Sequence, residues 1–113
     1  MRPSEELLDL IWHFCRISVA ATRGGHLCEL CTSPYYGEAE RHGEQLRLGT
    51  SEIRVFSRDG TIYSAPTLIY HYMSVHHYSP PEEFIQALRE GPRPPSPEYF
   101  EKLAALELKW DFT

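Results

Sequence analysis

The segment EIRVFSRDGTIYS, residues 52–64, decides the fold. Ile53 and Val55 alternate with more polar neighbours, which is the period-two pattern of a strand with one buried face. Asp59-Gly60 is a strong turn signal, because both residue types tolerate the positive φ angles of a tight hairpin turn. Thr61-Ile62-Tyr63 follow as the return strand. The segment therefore predicts a β-hairpin.

Helices and a final strand are predicted after this hairpin. Ala65-Pro66 favours a helix over residues 66–77, since proline fits the first helical turn. Ser79–Glu83 predicts the start of a second helix, which runs to about Arg89 and ends at Gly91. The stiff connector 91–97, GPRPPSP, leads to a helix that Ser96 caps and that continues to about Ala105.

Residues 106–112 alternate strictly between apolar and polar side chains. This alternation predicts a half-buried strand. Such a strand either adds to the hairpin as a third strand or forms a tail that pairs with the sheet edge of another protein.

The chain before the hairpin predicts one long helix and one loop. Ser4 is a good N-cap and the two following glutamates suit the start of a helix, so we expect a helix over residues 4–21 that stops at Gly24-Gly25. Apolar residues cover most of its circumference, which is typical of a helix that is buried on several sides or shared with a partner. Residues 32–50 contain Pro34 and three glycines and predict a loop, with a short helix over 38–45 as the alternative.

Together these elements predict a small α+β fold, with a hairpin of two or three strands packed on helices. The chain has 113 residues, the size of one domain, and 42% hydrophobic residues are enough for a compact core. Within the single domain 1–113 we expect an N-terminal helix in 1–25, a hairpin–helix core in 26–90, and a connector, helix and strand or tail in 91–113.

Composition and charge narrow the function classes. Eleven Lys and Arg against sixteen Asp and Glu give a net charge of −5, which disfavours binding to nucleic acid through its phosphates. The longest apolar run, residues 7–21, contains charged residues and is too short to span a bilayer. The first residues carry acids where a signal peptide needs bases. We therefore expect a cytoplasmic protein whose thiols stay reduced.

Two pairs of potential metal ligands stand out. Cys28 and Cys31 form a C-x2-C pair, and His71 and His76 form an H-x4-H pair on the helix predicted after the hairpin. Zinc takes four ligands in a tetrahedron, and thiolates and imidazoles are its usual ligands. Two intervening residues let a tight turn aim both sulfurs at one ion, and histidines about one helical turn apart can face one point. The sequence therefore predicts a structural Zn²⁺ bound by these four residues.

Several alternatives remain open around this ligand set. His77 lies next to His76 and His26 lies two residues before Cys28, so either histidine is an alternate ligand. A thioredoxin-like redox pair would start a helix, whereas a loop is predicted after Cys31. A disulfide would need an oxidising compartment, for which the sequence gives no sign. Cys15 lies inside the apolar helix and is interpreted as a small buried residue.

The sequence favours a non-enzymatic interaction or adaptor protein over a nucleic-acid-binding regulator and a metal-dependent hydrolase. It would dock to a protein partner or to itself through the apolar N-terminal helix and the C-terminal segment, with the contact residues Leu7, Ile11, Trp12, Phe14, Leu108, Trp110 and Phe112. A nucleic-acid-binding regulator of zinc-finger type is disfavoured, because Lys and Arg are absent from Asp59 through Leu88. A metal-dependent hydrolase needs an open coordination position, which four good ligands would fill, so no catalytic residues and no enzyme activity are predicted.

Tyrosines are unusually frequent around the two histidines. The tyrosines in question are Tyr63, Tyr70, Tyr72 and Tyr78. We expect some of them to form the apolar shell of the metal and others to anchor an interface.

A series of short motifs runs from Cys28 to about Leu88. After the C-x2-C pair they are Gly49, Glu52-Ile53-Arg54-Val55, Asp59-Gly60, Tyr63, Ala65-Pro66, Leu68-Ile69, His71-Tyr72, His76, Pro80-Pro81 and Phe84. This pattern resembles that of an uncharacterised family of small bacterial proteins. The resemblance implies a bacterial source and a metal-binding core, and it implies no activity. Residues 1–25 and 91–113 lie outside the resemblance.

Overall fold

The structure, a computed structural model, describes residues 3–20, 28, 30, 31 and 37–112, with side chains up to residue 110. Its elements, in chain order, are α1 (Glu5–Arg16), β1 (Ile17–Val19), β2 (Glu38–Arg41), β3 (Glu44–Arg47), β4 (Glu52–Phe56), β5 (Ile62–Pro66), α2 (Ile69–Val75), α3 (Glu82–Glu90), α4 (Pro97–Ala105) and β6 (Trp110–Phe112). Helices packed on small antiparallel sheets make this an α+β fold, as the sequence predicted.

The predicted hairpin forms β4 and β5. Val55 lies opposite Tyr63 in the antiparallel register, and the N–H of Thr61 donates to the Asp59 carboxylate at 2.9 Å, which closes the turn. Ile53 and Val55 are fully buried, so the alternation predicted the buried face correctly. The adjoining Phe56 is buried as well.

The C-terminal strand enters the sheet at a place that the sequence did not indicate. The strand order is β5-β4-β1-β6, so β6 pairs with β1 and does not touch the hairpin. The C-terminal segment was predicted to pair with the hairpin as a third strand, but its neighbour in the sheet is β1. β6 pairs with its own chain, with Ser18 opposite Asp111, and the pairing of this segment with another protein's sheet stays a prediction.

The N-terminal helix is shorter than predicted. Ser4 caps α1 by accepting the N–H of Leu7 at 3.1 Å, but the helix ends at Arg16 and Ile17–Val19 form β1. Ile17 and Val19 are β-branched and favour an extended backbone. All three strand residues are buried because β1 lies between two other strands, so the strand shows no apolar–polar alternation. The predicted stop at Gly24-Gly25 lies outside the described residues.

A second hairpin replaces part of the predicted loop 32–50 and the alternative helix 38–45. In the β2–β3 hairpin, Ala39 pairs with Leu46, and the two-residue turn is His42-Gly43, with φ angles of +52° and +81°. Two consecutive positive φ angles define the turn type that matches the twist of a hairpin. Glycine meets this requirement without strain, while His42 adopts it less readily.

α3 and α4 follow the predicted boundaries, whereas the helix predicted over residues 66–77 is shorter at both ends: Pro66 is the last residue of β5, and α2 runs from Ile69 to Val75. Ser96 caps α4 by accepting the N–H of Tyr99 at 3.2 Å. Gly91 ends α3 beside β4, where a Cβ atom would overlap the carbonyl oxygen of Phe56. Glycine is therefore required for α3 to approach the sheet.

The main core lies between the helices and the four-stranded sheet. Helix α1 contacts α2, α3, β1 and β4, and its Ile11 and Phe14 are fully buried. The rings of Phe14 and Phe56 both meet Tyr99 edge to face at 5.6 Å. The Tyr99 hydroxyl donates to the carbonyl of Arg54 at 2.8 Å, so this buried polar group is satisfied.

Among the described residues, none of the helices has both the length and the apolar character that a membrane span needs.

Candidate metal centre

Four side chains from two distant parts of the chain converge beside α2. Cys28 and Cys31 come from the segment between β1 and β2, His71 lies in the first turn of α2, and His76 is the residue that ends this helix. One ligand atom from each residue lies within 4.8 Å of all the others. The thiols are free, with no disulfide between them. These four residues therefore lie close enough to bind one metal ion.

The distances between sulfur and nitrogen suit a tetrahedral centre. The Cys31 Sγ lies 3.1 Å from the Nε2 of His71 and 3.4 Å from that of His76, and the Cys28 Sγ lies 3.4 Å from His76. With Zn–S bonds of about 2.3 Å and Zn–N bonds of about 2.0 Å, a tetrahedron places sulfur and nitrogen about 3.5 Å apart. The observed spacings are therefore close to the edges of such a tetrahedron.

His71 and His76, five residues apart, meet where α2 ends. In a continuous helix of about 3.6 residues per turn, five residues span about 1.4 turns, and the two side chains would diverge. Here α2 ends at Val75, and His77 takes a positive φ of +58°, while the N–H of Tyr78 donates to the Tyr72 carbonyl at 3.0 Å. The His76 ring lies 5.0 Å from the His71 ring.

The end of α2 also separates the two candidates for the fourth position. His76 takes part in the cluster, whereas the exposed His77 does not. The sequence could not make this choice, because it depends on the left-handed conformation of a single residue. The other alternate ligand, His26, lies outside the described residues.

Burial and neighbouring groups shift the pKa values of His71 and Cys31. Burial, and then the neighbouring His76, lower the pKa of His71, which favours the neutral imidazole that a metal requires. Burial raises the pKa of Cys31, and the hydrogen bond and charge of Cys28 raise it further. A bound divalent cation would reverse this effect on the thiols, because it stabilises both thiolates.

Cys15 is separate from this site. It is fully buried in α1, its Sγ lies 3.7 Å from the carbonyl oxygen of Thr67, and burial raises its pKa to about 12. An apolar environment of this kind makes a thiol inert. The interpretation of Cys15 as a small buried residue agrees with this environment.

Arg41 of the second hairpin fixes the elements beside the centre, and the sequence analysis missed it. Its guanidinium donates to the carboxylates of Glu5 and Asp9 on α1 and, at 3.3 Å, to the Tyr70 hydroxyl on α2. The Arg41 side chain is only 12% exposed. The turn His42-Gly43 directly after it was the signal that could have revealed this hairpin.

The tyrosines near the histidines have different roles. Tyr70 is buried and meets Trp12 edge to face at 4.9 Å, and Tyr72 is half-buried with its ring 6.2 Å from that of His71. Tyr63 packs against Phe84 at 5.7 Å. Tyr78 is 45% exposed.

The residues predicted to contact a partner lie mostly inside the domain. Leu7, Ile11, Trp12 and Phe14 are at most 5% exposed and belong to the core of their own chain. The apolar side of α1 is covered by α2, α3 and the sheet of its own chain, whereas Glu5, Glu6 and His13 are exposed on its other side.

The C-terminal members of that set are also used within the chain. Leu108 and Trp110 are half-buried against the core, and the Trp110 ring lies 4.9 Å from Phe100. The backbone of Phe112 pairs with Ile17. The described side chains of this set therefore pack within their own chain, and their assignment to a partner interface stays a prediction.

The fold and the cluster define a small α+β domain with a Cys2His2 set able to hold a metal ion. The chain belongs to the family described as Domain of unknown function DUF7919, whose model matches residues 1–89. The match includes α1, which the resemblance of the motifs left out, and ends before residues 91–113. Searches of the curated proteins and of the solved structures found no match.

Proposed function

We propose that the protein is a non-enzymatic zinc-binding domain that acts as a protein-interaction or adaptor module. The observation that carries the proposal is the convergence of Cys28, Cys31, His71 and His76 within 4.8 Å. Two thiolates and two imidazoles are a ligand set typical of structural zinc sites. The metal would cross-link α2 to the Cys28–Cys31 segment, which is 40 residues away from His71 along the chain.

A structural role is favoured over a catalytic one because four protein donors complete the tetrahedron. A catalytic zinc usually has three protein ligands and keeps the fourth position for water. With all four positions filled by side chains, a metal-dependent hydrolase would have to release a ligand before each reaction. We therefore propose that the metal stabilises the fold of the surface around it.

A nucleic-acid-binding role receives little support. The element that would read bases is α2, whose Ile69, Tyr70, His71 and Met73 are buried and which carries no Lys or Arg. Without cations this helix cannot neutralise phosphates or form the paired contact with guanine.

The bacterial source and the cytoplasmic location remain predictions from the sequence.

Elemental analysis of the purified full-length protein tests the zinc centre. We expect about one equivalent of zinc in the wild type and in Cys15→Ser, and loss of zinc in Cys28→Ser. Cys15→Ser is a matched control, since it also removes one thiol but lies outside the cluster. Zinc-free wild-type protein that remains folded, or equal zinc in both variants, would contradict the proposal.

A further inference from the structure

Strand β5 forms an open edge of the four-stranded sheet. It is the outer strand in the order β5-β4-β1-β6 and pairs with β4. The N–H of Ser57 donates to the Thr61 carbonyl at 2.9 Å, and the N–H of Thr67 donates to the Ser51 carbonyl at 3.0 Å. Bonded and non-bonded positions alternate in an antiparallel pair. The odd-numbered residues of β5 therefore bond to β4, and the even-numbered ones turn their backbone groups to the open side.

The even-numbered residues are Ile62, Ser64 and Pro66. Ile62 and Ser64 each offer an N–H and a C=O to the open side, and Pro66 offers a C=O alone. Within the part of the chain that the structure describes, none of these backbone groups has a hydrogen-bond partner. All three side chains are exposed. An edge of this kind can pair with another extended strand.

The absence of charge distinguishes β5 from the other outer strands. The charged residues of those strands are Glu38, Glu40 and Arg41 in β2, Glu44 and Arg47 in β3, and Asp111 in β6. Charged side chains on an outer strand are a common protection against pairing with a second chain. No Asp, Glu, Lys or Arg occurs from Gly60 through Pro81, a range that contains all of β5. Among the described outer strands, β5 is thus the one without this protection.

An apolar rim lies at one end of the β5 edge. Ile62 and Leu106 are 48% and 38% exposed, and both line one cavity of about 170 Å³ between the β4–β5 turn and α4. The buried Phe56 also lines this cavity, and Lys102 lies 5.9 Å from the centre of its ring. Because Ile62 belongs to both the edge and the cavity, an added strand would also cover part of this apolar rim.

A second copy of β5 is complementary to this edge. In an antiparallel pair centred on Ser64, Ile62 lies opposite Pro66 of the second copy. The N–H of Ser64 then donates to the Ser64 carbonyl of the second copy, and the N–H of Ile62 donates to the Pro66 carbonyl. Every free N–H of the edge is satisfied in both copies. No like charges meet along the two strands, whereas the net charge of −5 opposes association through acidic surfaces.

We propose that β5 pairs antiparallel with β5 of a second copy of the chain and joins the two four-stranded sheets into one. This inference rests on the proposed interaction function and names the partner. The paired strands are five residues long, so the interface is smaller than that of a permanent dimer. A reversible dimer that forms at high protein concentration is therefore expected.

Sedimentation equilibrium of the zinc-loaded full-length protein tests this proposal. Over protein concentrations from about 10 µM to about 1 mM, we expect a Kd on the order of 100 µM. The mean mass should rise from 13.1 kDa toward twice this value. A mean mass that stays at the monomer value over the whole range would overturn the proposal.

Matched lysine variants locate the contact. Ile62→Lys should weaken dimerisation about tenfold, because it replaces an apolar edge side chain with a charge. Val75→Lys makes the same kind of change at a side chain that is 56% exposed on α2 and lines a different groove, so it should leave the Kd unchanged. Equal effects of the two variants would refute the assigned edge.

A backbone variant tests the hydrogen bonds of the edge. Ser64→Pro removes one outward N–H and leaves the bonds from β4 to β5 in place, and proline is tolerated where the N–H of an outer strand points away from the sheet. We expect a monomer at every concentration, with the zinc content of the wild type. Dimerisation of Ser64→Pro with the wild-type Kd would contradict the pairing.

Zinc content and hydrogen exchange are measured on the same samples. The amides of Ile62 and Ser64 should gain protection as the protein concentration rises. A dimer in which these amides stay unprotected would place the contact on another surface and overturn the inference. A zinc-loaded monomer would refute the inference and leave the zinc centre intact, whereas a zinc-free dimer with protected edge amides would support the inference and refute the zinc centre.

Discussion

The sheet region and the metal region of this molecule are stabilised by different interactions. We define the sheet region as the strands β5-β4-β1-β6 with α1, α3 and α4, and the metal region as residues 28–31, the β2–β3 hairpin and α2. The sheet region contains fully buried Phe14, Tyr99 and Leu88. In the hairpin, by contrast, Leu46 is the one buried residue within the two strands.

The comparison teaches why a metal centre is useful in a domain of this size. Helix α2 has seven residues and no side-chain N-cap, so it is too short to be stable by itself. Its Tyr70 and Met73 attach it to the core, whereas of the three residues described in the Cys28–Cys31 segment, the two cysteines face the cluster and Leu30 is exposed. A bound metal would therefore join the Cys28–Cys31 segment to a helix that is itself anchored in the core.

Metal removal should have the largest effect and should separate the two regions. Structural zinc contributes on the order of 10 kcal/mol in small modules, which exceeds the whole stability of many domains. After chelation we expect amides of α2 and of the β2–β3 hairpin to lose their protection from hydrogen exchange, while amides of β4 keep part of theirs. Exchange measured with and without a chelator checks this, and equal changes in both regions would show that the division is wrong.

A core substitution should have the second largest effect and should act on the sheet region. Phe14→Ala removes a fully buried ring that meets Tyr99, so the free energy of unfolding of the zinc-loaded protein should fall by about 4 kcal/mol. His13→Ala, on the exposed face of the same helix, should change it by less than about 0.5 kcal/mol. Urea unfolding gives both values, and similar losses for the two variants would contradict the assigned core.

Removal of the Arg41 contacts should lower the free energy of unfolding by an intermediate amount. Arg41→Ala removes the bonds from the hairpin to Glu5, Asp9 and Tyr70, and we expect a loss of about 1–2 kcal/mol, because the carboxylate partners are exposed and screened by water. The control is Arg47→Ala on the exposed face of the same hairpin, with an expected loss below about 0.5 kcal/mol. Thermal unfolding at constant zinc compares them, and an equal effect would remove the special role of Arg41.

Thiol reactivity should distinguish the regions without changing stability. The buried Cys15 has a pKa of about 12 and should resist alkylation at about pH 8 in the folded protein. Cys28 and Cys31 should be protected while metal is bound and should react after chelation. Mass spectrometry of the alkylated protein counts the modified residues, and alkylation of Cys15 before the other two would contradict this order.

The sequence predicted the elements whose local signals agree with their surroundings. The β4–β5 hairpin has alternation and an Asp-Gly turn, α4 has Ser96 as a cap, and α3 ends at Gly91. For the metal centre, the residue types and spacing of the cysteines and of His71 were sufficient to predict that these side chains come together.

The remaining features depend on tertiary contacts. Strand β1 is buried between two strands and continues the apolar run of α1, so its sequence resembles the helix that precedes it. The β2–β3 hairpin carries mainly charged residues and an unusual His42-Gly43 turn. The choice of His76 over His77 rests on one positive φ angle. The many apolar residues of α1 predicted contact with a partner, whereas elements of the same chain cover them.

X-ray absorption at the zinc edge of the full-length protein is the most direct test of the central claim. If one zinc ion cross-links the metal region, its shell contains two sulfur atoms at about 2.3 Å and two nitrogen atoms at about 2.0 Å, with four-fold coordination. A shell with fewer than two sulfur atoms, or one that includes a water oxygen in an open position, would contradict a closed structural centre at Cys28, Cys31, His71 and His76.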